Sequence, residues 1–254
     1  PCGMSSGIAC CAGSGGDAPR DRQARGVTIV TGLTPALIGL GTILTASTLV
    51  WMISVRLEDA SIADICWGLG FVLLAWLYCL LPPTLTPRSW LVAVLITLWG
   101  ARLSLHIFRR NDGKEEDPRY RAMRASHGRA FWWRSLFTVF WLQGAILWFV
   151  ALPLLVAVRA SSPAALTAVD GLGVLLFAVG FGFEVVGDYQ LERFRGEPSN
   201  RGKVLDRGLW RYTRHPNYFG DATLWWGLYA IAATTPGGWL TVLSPALMTF
   251  LLMR

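Results

Sequence analysis

The stretch RYTRHPNYFGD, Arg211 to Asp221, gathers two arginines, a histidine, an asparagine, two tyrosines and an aspartate just ahead of the apolar LWWGLYAIAA. Guanidinium groups are charge-assisted, bidentate donors to phosphate and carboxylate. Arg211 and Arg214, with Arg195 and Lys203 upstream, therefore make a donor set for a phosphorylated ligand. His215 stands among them, and Tyr212, Tyr218 or Trp210 offers a ring to stack on a base. Asn217 and Asp221 are four residues apart, on one face of a helix, and suit an amide or a ribose hydroxyl. Asp188 and Arg195 recur with Leu191 at helical spacing. Snorkelling arginines and belt aromatics on an interfacial helix are the plainer account of the same residues.

A second set is set apart by its surroundings. Asp64, Arg102, His106, Glu184 and Asp188 lie inside or at the ends of apolar runs. Charges facing lipid cost a few kcal/mol each, so such groups are expected to face a bundle interior or a wet cavity. A shared depth for all five suggests one polar cavity, with structural pairing, for example Asp64 with Arg102, as the alternative.

The elements that must carry these residues are membrane helices. The 254-residue chain is 53% hydrophobic and 15% charged, with a mean hydropathy of +0.44, which excludes an ordinary soluble domain. A bilayer core needs roughly 20 apolar residues of helix. Runs near 33–55, 61–81, 89–108, 135–158, 171–187, 217–235 and 238–253 fit, predicting an all-α, polytopic membrane protein with about seven transmembrane helices. Pro216 is well placed to start the sixth run, because its missing N–H would be unpaired there anyway. Many of the 13 tryptophans end these runs, as an interfacial belt would. The domain reading is a leader over 1–32, without an apolar signal core and expected to be disordered, and one transmembrane domain over 33–254, whose C-terminal end is expected to be truncated. The five cysteines lack the spacing of a metal site. The GLG and GFG pairs at 171–173 and 180–182, with Gly187, predict close helix packing rather than a dinucleotide loop.

Fifteen of the 23 Lys and Arg fall in two segments, 109–134 and 188–216. An even number of crossings separates them, so the positive-inside rule predicts both as cytoplasmic loops. Their interleaved acids suggest ordered, ligand-binding loops. The expected partners are the lipid bilayer and a lipophilic small molecule, with no nucleic acid.

GLWRYTRHPNYFGD, with DYQLERFR and GEPSNRGKV upstream, resembles the C-terminal domain of the steroid 5-alpha-reductase family. DICWGLGF, EDPRYRAMR and GRAFWWRSLFTVFWLQG are similar to its uncharacterised DUF1295-type branch, and the likeness covers about residues 40–254. RHPNY also resembles sterol reductases and isoprenylcysteine carboxyl methyltransferases. The resemblance implies a seven-helix membrane reductase with NADPH in a cytoplasm-facing cavity. It puts cofactor contacts at Asp188, Arg195, Lys203, Asn217 and Asp221, and Glu184 where the family has a polar contact of another type. The family continues beyond the last helix, past the point where this chain stops. By depth, Asp64 is the nearest match to the family's carbonyl-polarising carboxylate. The implied reaction is hydride transfer from NADPH to a C=C conjugated to a carbonyl, with Asp64 as the acid on the carbonyl oxygen. The alternatives are a methyltransferase using S-adenosylmethionine and a non-enzymatic membrane protein.

Overall fold

The computed structural model describes residues 19–82 and 84–253, with side chains from Leu33 onward. Residues 1–34 and 35–254 separate into two units, and the second builds the helix bundle. The leader expected over 1–32 lies outside the described residues as far as residue 18, and a helical backbone starts inside it at Pro19.

The helices are α1 (Pro19–Leu57), α2 (Ile62–Cys79), α3 (Pro87–Asn111), α4 (Pro118–His127), α5 (Phe131–Ser135), α6 (Leu142–Val150), α7 (Leu152–Arg159), α8 (Ala168–Gly196), α9 (Pro216–Ala233) and α10 (Leu243–Met253). A π-helical turn, Leu136–Trp141, joins α5 to α6. No strand occurs among the described residues. Among the described residues, five stretches are long and apolar enough to cross a membrane: Leu33–Leu57, Ile62–Cys79, Pro87–Asn111, Pro118–Val150 and Ala168–Gly196. The sixth and seventh expected runs, α9 and Gly238–Met253, fall short of that measure. Outward faces carry Leu69, Leu73, Leu98, Leu175 and Val179 in the open, as suits a chain solvated by lipid rather than water.

Two sequence boundaries are corrected. Much of 109–134, read as a loop, is helical. Asp117 caps α4 by accepting from Arg119 N, and Pro118 opens it, so the acidic-proline pair starts a helix there. The run expected over 135–158 breaks at Ala151, one residue before α7 and its Pro153, which cannot donate an N–H to a continuous helix.

Register is set by glycines and two ion pairs. The α8–α9 pair is antiparallel and very close: a Cβ on Gly180 would stand 2.4 Å from Gly220 O, and one on Gly173 2.7 Å from Gly227 O. Any side chain would push the helices apart. Gly68 and Gly100 do the same for α2 and α3. Helices α3 and α8 run parallel, tied at both ends. Arg88 donates to both Asp170 oxygens at 2.9 Å, and fourteen residues further along each helix Arg102 donates to Glu184 at 2.8 Å. Fourteen residues is about 21 Å of helix, most of a bilayer core. Between these ties lies a core of Phe71, Leu74, Ile96, Trp99, Leu224, Trp225 and Leu228.

Candidate functional site

Three neighbourhoods hold the chemistry. The first is a charged cluster on α3, α8 and α9. Arg102 Nη1 donates to Glu184 Oε1 at 2.8 Å, and Nη2 to Asp188 Oδ2 at 2.6 Å. Trp99 Nε1 donates to Glu184 Oε2 at 2.9 Å, and His106 Nε2 stands 3.6 Å from Asp188 Oδ2. From α9, Asn217 Nδ2 donates to Asp188 Oδ1 at 3.2 Å. Asp221, one turn along, interacts electrostatically with Glu184, Asp188 and Arg102. Its Oδ1 and the Nε1 of Trp225, which lies close enough to act on that carboxyl as a donor, are buried without a well-formed hydrogen bond among the described residues. Three carboxylates here face one guanidinium, which leaves acceptors in excess of donors. Gly187 permits the arrangement, since a Cβ there would meet Asn217 N at 3.2 Å.

The second neighbourhood is a basic pocket of about 600 Å³ where α8 ends. Arg195, Lys203, Arg214, His215, Arg201 and Trp210 line it. The connection from 197 to 215 is folded back on α8 by specific bonds. Asn200 Nδ2 caps Phe194 O at 2.9 Å, Leu209 N donates to Gln190 Oε1 at 3.0 Å, and Trp210 Nε1 reaches Gly187 O at 3.0 Å. Gly202 and Gly208 take positive φ, which side-chain-bearing residues rarely adopt. Tyr218 stacks on His215, centroids 4.9 Å apart. Both Tyr218 and Arg211 are exposed, and Arg211 is not among the lining residues.

The third is an apolar pocket of about 250 Å³ between α1, α2 and α6, with Gln143 at its polar end. Behind Gln143 lies Asp64. Its Oδ1 accepts from Tyr120 Oη at 2.7 Å and more distantly from Gln143 Nε2 at 3.4 Å, and its Oδ2 accepts from Arg119 Nη2 at 2.8 Å. Arg119 also donates to Asp117, and that hydrogen bond, set against partial burial, holds the Asp117 carboxyl below its ordinary range. Glu116 is treated similarly. Burial would push its carboxyl up, but hydrogen bonds from Arg124 and from Ala60 N outweigh burial and hold it low. These contacts staple the 58–61 turn to the start of α4, which brings Tyr120 to Asp64.

One expectation is overturned by this geometry. Asp64 does not share a cavity with Arg102; it pairs with Arg119 instead. A layer of rings separates them: Phe71 touches Trp67, a wall residue of the apolar pocket, at 5.4 Å, and Trp99 and Trp225 at 5.5 and 4.7 Å. The other four membrane-level groups do cluster. Of the sequence candidates, Asp188, Asn217 and Asp221 meet in the charged cluster, and Arg195, Lys203, Arg214 and His215 in the basic pocket. Tyr120, Gln143, Arg119 and Trp99 were not singled out from the sequence. Tyr120 and Arg119 were hidden in a presumed loop, whereas a glutamine inside an apolar run was a signal available to find Gln143.

The family model for a protein of unknown function, DUF1295, matches residues 50–254. The chain belongs to the DUF1295 family. This family is steroid 5-alpha-reductase-like, and its match takes in the charged cluster, the basic pocket and the Asp64 network of this DUF1295 chain. An uncharacterised protein of Schizosaccharomyces pombe is 26% identical over 223 residues, covering 78% of this chain and 65% of the relative, so the chain spans less than two thirds of that protein's length. No solved structure matches.

Proposed function

We propose that this DUF1295 protein is an integral-membrane, NADPH-dependent oxidoreductase that reduces a conjugated C=C bond of a lipophilic substrate. The observation that carries the reading is the pairing of a basic pocket of about 600 Å³ at the end of α8 with a buried cluster of three carboxylates, Glu184, Asp188 and Asp221, in which Asp221 Oδ1 makes no well-formed hydrogen bond. Such a pair suits a dinucleotide, whose phosphates need cations and whose carboxamide needs acceptors. Arg195, Lys203 and Arg214 would hold the phosphates, and Trp210 or His215 would face a ring. Asn217 and Asp221, through its Oδ1, would hold the amide. Bound there, NADPH supplies a hydride to the electron-poor carbon of the substrate.

The substrate belongs in the apolar pocket, reached from the bilayer side of the molecule. Reacting atoms must come within about 3–3.5 Å, so in this reading the Trp67–Phe71 ring layer turns aside during turnover. Asp64, the expected acid, accepts from three side chains. We therefore assign it the task of holding Tyr120 and, through it, the pocket-lining Gln143. In the same proposal the basic segments face the cytoplasm, from which the cofactor enters.

Titration of the purified protein in detergent with NADPH, NADH and S-adenosylmethionine tests this. Saturable NADPH binding should weaken roughly 10- to 100-fold in Arg195→Ala or Asn217→Ala, the loss expected for a charge-assisted contact. Binding of S-adenosylmethionine alone would refute the reading in favour of a methyltransferase. No binding of any of the three would favour a membrane protein without catalysis.

A further inference from the structure

Gln143 alone belongs both to the wall of the apolar pocket and to the polar network behind it; Asp64, Tyr120 and Arg119 do not line the pocket. Its surroundings are Phe140 from the π turn and Gly144 and Leu147 from its own helix, with Ile43, Ser47, Val50 and Trp67 opposite. Residues 140, 143, 144 and 147 line the pocket from one side, across the junction of the π turn with α6. Turns of this kind recur at functional sites.

The carboxamide orientation is not free. Gln143 Nε2 donates to Tyr120 Oη at 3.0 Å and faces Asp64 Oδ1 at 3.4 Å. Turned the other way, its oxygen would face a carboxylate oxygen, and Tyr120 would have two acceptors competing for one proton. Asp64, anchored by Arg119, thus fixes the amide. With Nε2 committed, Oε1 is the atom left over, and no hydrogen bond to it occurs among the described residues. It is an acceptor, set in a wall whose other polar side chains are Ser47 and Cys66.

We propose that this pocket selects a compact lipophilic alcohol, whose hydroxyl donates to Gln143 Oε1. This rests on the reading above that the pocket holds the substrate, and it narrows that substrate to one bearing a hydroxyl group at this end, apart from the carbonyl that conjugates its C=C bond. A ketone in the same place would set oxygen against oxygen and leave both unpaired, which costs more than a missing contact. A volume of about 250 Å³ lies below the usual range of roughly 300–1,000 Å³ for small-molecule sites. The selected molecule is therefore small, or only its hydroxyl-bearing end enters.

β-Ionol and β-ionone share a carbon skeleton and differ as alcohol and ketone, so they isolate this contact. Each is titrated into the full chain in lipid nanodiscs, followed by quenching of tryptophan emission, with empty nanodiscs as the blank. β-Ionol should bind roughly tenfold more tightly, one hydrogen bond's worth of discrimination. Gln143→Leu should abolish the preference by weakening β-ionol while leaving β-ionone binding within a few-fold of the parent's, which guards against misfolding. Tighter binding of β-ionone, a preference that survives Gln143→Leu, or saturable binding of neither compound would overturn the proposal. No cofactor is added, so absence of NADPH-dependent turnover would sink the reductase reading while leaving this result intact.

Discussion

Gly180→Ala should damage both the fold and the proposed cofactor site through a single methyl group. The added Cβ would lie 2.4 Å from Gly220 O and 2.6 Å from Leu224 N, both backbone atoms of α9, so no flexible side chain can yield. Restoring an ordinary contact of 3.4 Å means separating α8 from α9 by about 1 Å. The bond from Asn217 Nδ2 to Asp188 Oδ1 spans the same interface at 3.2 Å. Another ångström takes it beyond hydrogen-bonding distance. Overpacking of this kind costs roughly 1–3 kcal/mol. At about 2–4 °C per kcal/mol for a chain of this size, the melting temperature should fall by roughly 2–12 °C. Gly182→Ala is the internal control, because its Cβ meets nothing within 4 Å. It should be neutral or slightly stabilising, since alanine is the better helix former by up to about 1 kcal/mol. Thermal unfolding in detergent, with NADPH affinity measured alongside, reads both effects. Equal melting temperatures for the two variants would refute the argument that the glycine seam sets the spacing of the site.

The Arg88–Asp170 pair, each side chain 1% exposed, anchors the far end of α3 and α8. Arg88→Ala or Asp170→Asn should cost about 3–5 kcal/mol by stranding a buried charge or its partners, whereas Arg88→Met with Asp170→Leu should cost clearly less, as thermal melts of all three would reveal. Glu116 carries a pH signature. Its carboxyl is held below the ordinary value of 4.5, so its contribution is complete above that pH and is lost as pH falls through the lowered value. Glu116→Gln should destabilise by roughly 1–2 kcal/mol at pH 7 and flatten the acid limb of a melting-temperature profile from pH 6 to 3. An acid limb identical to the parent's would assign that loss to other carboxylates.

The register of the fold was partly legible because glycine and proline act locally. Pro216 announced the start of α9, and the glycines of α8 announced tight packing without naming a partner. Gly173, Gly180 and Gly187 carried that role, whereas Gly171 and Gly182 have no neighbour within 4 Å, a division that depends on which face meets α9. Arg88 and Asp170 went unremarked because each sits at the end of an apolar run, where a charge is ordinary. Their mutual burial follows only from the parallel packing of two helices 82 residues apart in sequence.

Composition and apolar run length were enough to determine an all-helical membrane protein, because hydrocarbon leaves the backbone no other way to satisfy its hydrogen bonds in a single segment. The motif from Arg211 to Asp221 offered candidate residues, since its residue types and helical spacing are properties of the chain itself. Which acid meets which base was beyond it. Asp64 was matched with Arg102 by depth, but depth is one coordinate, and rotation about the helix axis decides neighbours. Tertiary packing turned Asp64 toward Arg119, Tyr120 and Gln143, and Arg102 toward Glu184 and Asp188. Glycine contacts and a wall of aromatic rings fix those rotations, and both act between segments far apart in sequence.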